Sequence, residues 1–194
     1  MTGDSWGRAF AKLPDIARAL LVGAVTTIQV TIGALIVAIL LGILFAVLKT
    51  APSRALRTVA SVYVEVFRAV PVLTQLFVIY FGLAGIGIRL NPLPAAIIGF
   101  GINGGAYLTE VFRAGLEAIH QGQLEGAFSI GMTRPMAMWY IILPQAVRVV
   151  LPPIGNFAIG LLKDTSIASA VAAPELMFRA RSLVEATMGR GHQA

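Results

Sequence analysis

Apolar and charged positions divide this chain into blocks too long for the core of a water-soluble domain. Residues 19–48 run for thirty positions without a charge, between Arg18 and Lys49. At a rise of ~1.5 Å per residue such a helix exceeds the ~30 Å hydrocarbon core of a bilayer, so a first, tilted membrane span is expected there. Two further uncharged runs, 69–88 and 90–109, are each twenty residues long, and the apolar stretch 135–162 is interrupted by Arg148 alone. They predict a second span at about 58–83, a third at about 94–116 and a fourth beyond Pro144. Ahead of the first run, Arg8, Lys12, Asp15 and Arg18 interleave with Phe10, Leu13, Ile16 and Leu20, the pattern of a short interfacial helix.

Composition narrows the class: with 57% hydrophobic residues and a mean hydropathy of +0.83, one all-α integral membrane domain over 1–194 is expected. The first run is too long for a signal-peptide h-region, and Lys49 ends it without a small-residue cleavage pattern. The net charge of +6 does not point to nucleic acid, because the basic residues sit at the ends of apolar runs and not in one stripe. It points to orientation. Lys49, Arg54 and Arg57 crowd the short connection after the first span, whereas only Arg89 follows the second. The positive-inside rule then places 49–57 and the later polar break 117–133 in the cytoplasm, with the N-terminus outside.

The chemistry of enzymes is missing from the pattern. With no cysteine there is neither a disulfide nor a thiolate metal site, and the chain has no GxxxxGK[ST], HExxH or GxSxG string. His120, without a second ligand or base, reads as a solvated loop residue. Neither catalysis nor a metal or other cofactor in this chain is expected.

The polar break is punctuated instead as a helix, turn and helix along the membrane surface, within a loop of about 117–143. Residues 123–130 can form the first helix, Gly131 permits a sharp turn, and Thr133 suits an N-cap with Pro135 in the following first turn. Leu143-Pro144 is expected to interrupt the second helix before the fourth span.

Glu125-Gly126-Ala127, Gly131 and Ile142-Leu143-Pro144 resemble the cytoplasmic EAA loop of binding-protein-dependent ABC transporter permeases. YVEVFRAVPVLTQLFVIYFGL (63–83), GAYLTEVFRAGLEAIHQGQLEGAFSIGM (105–132), ILPQAVRVVLPPIGNFAIGLLKDTSIAS (142–169) and Glu175-Leu176 resemble the polar amino acid branch of that family, so the likeness covers about 21–176. It implies the ABC importer permease fold, with about four to five transmembrane helices, in a multi-pass protein of the bacterial inner membrane. It also implies import of amino acids, with Glu125, Gly126, Ala127, Gly131, Leu143 and Pro144 forming the coupling element that docks on a separate ATPase. The implied partners are that ATPase, which binds the ATP and Mg, a periplasmic solute-binding protein, and a second permease subunit, identical or related. An ion-coupled secondary carrier and a non-transporting membrane scaffold are the alternative readings. Gly126 departs from the motif, which usually has alanine there. After Leu176 the family continues into a fifth span, but the tail 177–194 carries Arg179, Arg181, Glu185 and Arg190, too closely spaced to cross hydrocarbon. Four crossings, with the last residues outside, are therefore expected.

Polar groups inside the spans complete the picture. Glu65 and Arg68, and Glu110 and Arg113, recur in the string EVFRA (65–69 and 110–114), three apart on one helical face. Both strings are expected near the cytoplasmic ends of their spans, each as a local ion pair and not a substrate contact. Asn103, Tyr107 and Asn156 could line a polar passage or bond helix to helix. The spacing of Gly101 and Gly105 suits close helix packing, Pro152-Pro153 is expected to break the fourth span and expose backbone to the path, and Lys163-Asp164 reads as a self-paired helix end.

Overall fold

A computed structural model describes residues 13–188. Helix α1 (Leu13–Lys49) is 37 residues long and absorbs residues 13–20, where a separate interfacial helix was expected. Pro14 sits in its first turn, where a missing N–H costs nothing, and no breaker follows before the apolar run. Residues 7–12 of the expected interfacial helix lie outside the described residues.

The expected second span is not one helix. Helix α2 (Arg54–Ala69) and helix α3 (Val72–Gly85) meet at an angle of 104°. Val70 is extended, with φ −89 and ψ 130, as the residue before proline prefers, and Pro71 starts α3 without an N–H to continue the ladder of α2. Within α3, residues Val78–Gly82 form a π turn.

Helix α4 (Pro92–Glu117) matches the expected third span, and helix α5 (Gln121–Ser129) follows after a short connection. Helix α6 (Arg134–Val171) contains a π turn at Met138–Ile142 and ends in a 3-10 turn, Thr165–Val171. Neither Leu143-Pro144 nor Pro152-Pro153 breaks it: the α-helix runs unbroken over Leu143–Asp164. The π turn resets the hydrogen-bond register just before Pro144, with Leu143 N–H reaching back to Met138, which removes the need for a break. Pro152 and Pro153 cannot donate, so the carbonyls of Arg148 and Val149 lose their helical partners on an exposed face. Helix α7 (Leu176–Met188) has 13 described residues, about 20 Å.

Among the described residues three helices are long and apolar enough to span a membrane, or four if the bent α2–α3 pair counts as one. Helices α1 and α4 run parallel and very close: a Cβ on Gly101 would fall 2.5 Å from Val37, and one on Gly105 2.7 Å from Leu41. Buried Ala34 and Ala38 face them, so small residues let the backbones approach, as the 101–105 spacing predicted. Helix α6 packs antiparallel on α4, with Val150 against Gly115 and Phe157 against Gly104. Helix α7 closes on the opposite end of α1 from Lys49. Buried Glu175 caps it, accepting from the N–H groups of Met177 and Phe178 at 2.7 Å each, and Leu176 N–H reaches Thr27 Oγ1.

Candidate functional site

The loop that the sequence singled out is built as a self-contained surface element. His120, expected to be a plain loop residue, is exposed and caps α5 by accepting at Nδ1 from Gly122 N–H at 3.1 Å. At the other end, Gly131 takes φ +81, and its N–H bonds to Phe128 O while Met132 N–H bonds to Ala127 O. These two bonds form a Schellman cap, which closes the helix and turns the chain. Thr133 occupies the N-cap position of α6 in extended geometry, but its side chain makes no capping bond.

Helix α5 touches the rest of the domain on one edge. Ala127 is 2% exposed, whereas Glu125 is exposed and a Cβ on Gly126 would meet nothing within 4 Å. Gln145 Nε2, just after Leu143-Pro144, donates to Gln123 Oε1 at 3.1 Å and ties α5 to α6. Exposed Trp139 and Tyr140 flank the loop, where amphipathic rings suit a membrane–water interface.

A charge network lies at the same end of the bundle. Lys49, at the end of α1, donates to Glu110 Oε1, Arg113 Nη2 lies 2.9 Å from Glu110 Oε2, and Arg113 Nη1 reaches Glu117 at 2.6 Å. The expected Glu110–Arg113 pair is thus part of a neutral quartet, and the role of Lys49 in it was not legible from spacing. The other expected pairs are not formed. Neither Glu65 nor Arg68 belongs to an ion pair among the described residues, and both are exposed. Lys163 and Asp164 are likewise unpaired there; the helix end is held by Thr165 and Ser166 hydroxyls on the carbonyls of Leu162 and Lys163.

Of the three polar residues named for a passage, Asn103 and Tyr107 stand one turn apart on α4, and Asn156 lies on α6. Asn103 Nδ2 donates to Phe67 O at 2.9 Å, bonding α4 to the last turn of α2. Tyr107 is 43% exposed and stacks on Phe157, whose neighbour Asn156 is also exposed. Gln75, which sequence reasoning passed over, is 5% exposed and donates from Nε2 to both Phe67 O and Val70 O at 2.8 Å. Together with Asn103 it satisfies carbonyls that the Pro71 break would otherwise leave open. A polar amide four residues after a mid-span proline was the available signal.

Comparison with known proteins decides the class: residues 38–188 match the family described as binding-protein-dependent transport system inner membrane component. The chain belongs to that family. It is the membrane-spanning, non-catalytic subunit of an ATP-driven importer, a multi-pass protein of the inner membrane. Among its relatives, the L-cystine transport system permease protein TcyB of Bacillus subtilis (strain 168) is 40% identical over 161 residues, 83% of this chain and 69% of that one. The probable amino-acid permease protein YxeN of the same organism is 38% identical over 179 residues, covering 91% of this chain and 78% of its own. The crystal structure of an amino acid ABC transporter with histidines superposes with a TM-score of 0.85 at 35% identity, over 92% of this chain and 83% of that one. An inward-facing structure of the MetNI methionine ABC transporter shares the fold, with a TM-score of 0.68 at 22% identity.

Proposed function

We propose that this subunit imports polar amino acids. Its substrate arrives on a periplasmic solute-binding protein, a second permease subunit completes the path, and separate ATPase subunits that bind ATP and Mg drive the cycle. The 40% identity to the L-cystine permease supports the substrate class most directly.

The coupling element is α5, the Gly131 turn and the start of α6, with Glu125, Gly126 and Ala127 as its core and Leu143-Pro144 at its far edge. Its free face and its two closed caps suit a rigid plug for a cleft on the ATPase. ATP never needs to touch this chain. Nucleotide closes the ATPase pair, and the docked loops shift the spans between inward-open and outward-open arrangements. Such a shift requires that the closed ATPase bind one arrangement more tightly than the other. The Lys49 end is the cytoplasmic one in this reading, and single cysteines at Ser53 and Ile88, both exposed, should label from opposite sides of the membrane.

Co-purification of the ATPase and uptake of labelled amino acids by the reconstituted complex test the proposal; a chain that transports with no ATPase attached would be a secondary carrier. Gly131→Val places a β-branched residue at φ +81 and should reduce uptake tenfold or more while the chain still inserts. Glu125→Lys should weaken retention of the ATPase. Normal uptake and normal retention in both variants would move the docking element elsewhere.

A further inference from the structure

Helix α2 has three faces, and one of them is out of place in lipid. At 3.6 residues per turn, Ala60 and Val64 point into the bundle and are buried, while exposed Leu56, Val59, Val62 and Val66 form an apolar stripe. The remaining third carries Arg54, Arg57, Thr58, Ser61, Glu65 and Arg68. Lipid satisfies the second face but not the third.

Depth makes this costly. Tyr63 Oη donates to Ile102 O at 2.7 Å and Asn103 Nδ2 to Phe67 O at 2.9 Å, so Glu65 and Arg68 lie level with residues 102–103 of α4. In the 26-residue α4 (Pro92–Glu117) that is close to the midpoint, not the end where the first EVFRA string was expected. Two exposed acidic and basic side chains at mid-span, with no ion-pair partner among the described residues, are expensive unless they face water or a ligand.

We propose that this stripe of α2 lines the aqueous path and that Glu65 and Arg68 together hold the α-ammonium and α-carboxylate of a passing amino acid. The inference rests on the reading of the subunit as an amino acid importer and names the residues that meet the substrate. One turn of helix sets the two side chains ~5–6 Å apart at Cβ. A zwitterion offers one charge to each: the Arg68 guanidinium takes the carboxylate through two N–H donors, and the Glu65 carboxylate accepts from the ammonium. Dry contact with the same stripe of a second copy fits less well. Three arginines and one glutamate give each stripe a charge of +2, and two such surfaces repel.

The chain has no native cysteine, so single cysteines report the face directly. In the complete complex in proteoliposomes, cysteines at Glu65 and Ser61 should react with a charged, impermeant methanethiosulfonate at least tenfold faster than cysteines at Val59 and Val66, which are exposed on the apolar stripe. The probes for transport are radiolabelled L-glutamine and L-cystine. Whichever the wild-type complex accumulates should slow labelling at Ser61, and Glu65→Gln or Arg68→Gln should reduce its uptake tenfold or more in complexes that still assemble, with Val59→Ala unchanged. Equal labelling of the two faces overturns the water path. Wild-type uptake rates in both Glu65→Gln and Arg68→Gln, with wild-type transport intact, overturn the substrate contact alone. Failure of the wild-type complex to move either probe overturns the proposed function and the ligand with it, and the labelling contrast then decides the path by itself.

Discussion

Glu65-Val66-Phe67-Arg68-Ala69 and Glu110-Val111-Phe112-Arg113-Ala114 are the same five residues on two helices of one domain, and they end in opposite electrical situations. In the second copy, Glu110 receives Lys49 from α1 as well as Arg113, and Arg113 also holds Glu117 one turn on. In the first, no charged side chain from another helix arrives among the described residues, and Glu65 and Arg68 form no ion pair there and are exposed. A spacing of three residues permits a pair; it does not form one. The partners brought by tertiary packing decide, and they are present only where α1 and α4 end together. The quartet is therefore structural, while the isolated pair is free to bind something else.

The strongest way to break this contrast is to move α2. Gly105 is where it rests on α4: a Cβ there would lie 2.6 Å from Tyr63 Oη and 2.7 Å from Leu41 Cβ. Gly105→Val should cost about 3 kcal/mol, the upper end of overpacking penalties, and lower the melting temperature of the detergent-solubilised protein accordingly. Gly126→Ala, with open space at its Cβ, serves as the control and should be neutral or slightly stabilising. A tolerated Gly105→Val would show that the depth of the first string does not depend on this contact.

The next effect compares the strings directly. Glu110→Ala leaves Lys49 and half of Arg113 without partners at a site about a fifth exposed, so a loss of about 2 kcal/mol is expected, between the limits for exposed and buried pairs. Glu65→Ala should change stability by no more than about 0.5 kcal/mol, because no pair is lost. Equal costs measured by thermal unfolding would mean that Glu65 has a partner in the assembled protein.

Much of the bundle was legible in the sequence because hydrocarbon demands long uncharged runs, and α1, α4 and most of α6 coincide with them. The errors fall where a proline had to be judged alone. Pro71 bends its span by 104°, yet Pro144 and the Pro152-Pro153 pair do not interrupt α6. Val70 ahead of Pro71 turns extended, and two amides stand ready for the released carbonyls, whereas a π turn absorbs the strain ahead of Pro144. None of these compensations shows in local pattern. The same holds for the polar residues of the site. The turn at Gly131 was readable because φ > 0 leaves a residue signature, but the partners of Glu110, Glu65 and Asn103 depend on which helices meet, information that lies far away along the chain.

A smaller effect tests what holds the first string at mid-depth. Tyr63→Phe removes the bond to Ile102 O while keeping the ring stacked on Phe45, with centroids 3.8 Å apart. About 1 kcal/mol of stability should be lost. If the depth of Glu65 matters for transport, uptake should fall further than this loss of stability explains.

The smallest effect belongs to the outer member of the quartet. Glu117 is 63% exposed and meets Arg113 one turn away along the same helix, so water and salt screen the contact and two long side chains give up freedom to make it. Glu117→Gln should therefore change stability by about 0.3 kcal/mol or less, and the difference should shrink further in ~1 M salt, where screening acts within ~3 Å. Arg113 keeps Glu110 in that variant, so the tie between α1 and α4 through Lys49 survives. A loss above about 1 kcal/mol would show that Glu117 orients Arg113 for Glu110 and that the quartet acts as one cooperative unit. The contrast with the first string would then rest on four residues acting together, and a Glu110→Ala, Glu117→Gln double variant should lose clearly less than the sum of the two single losses.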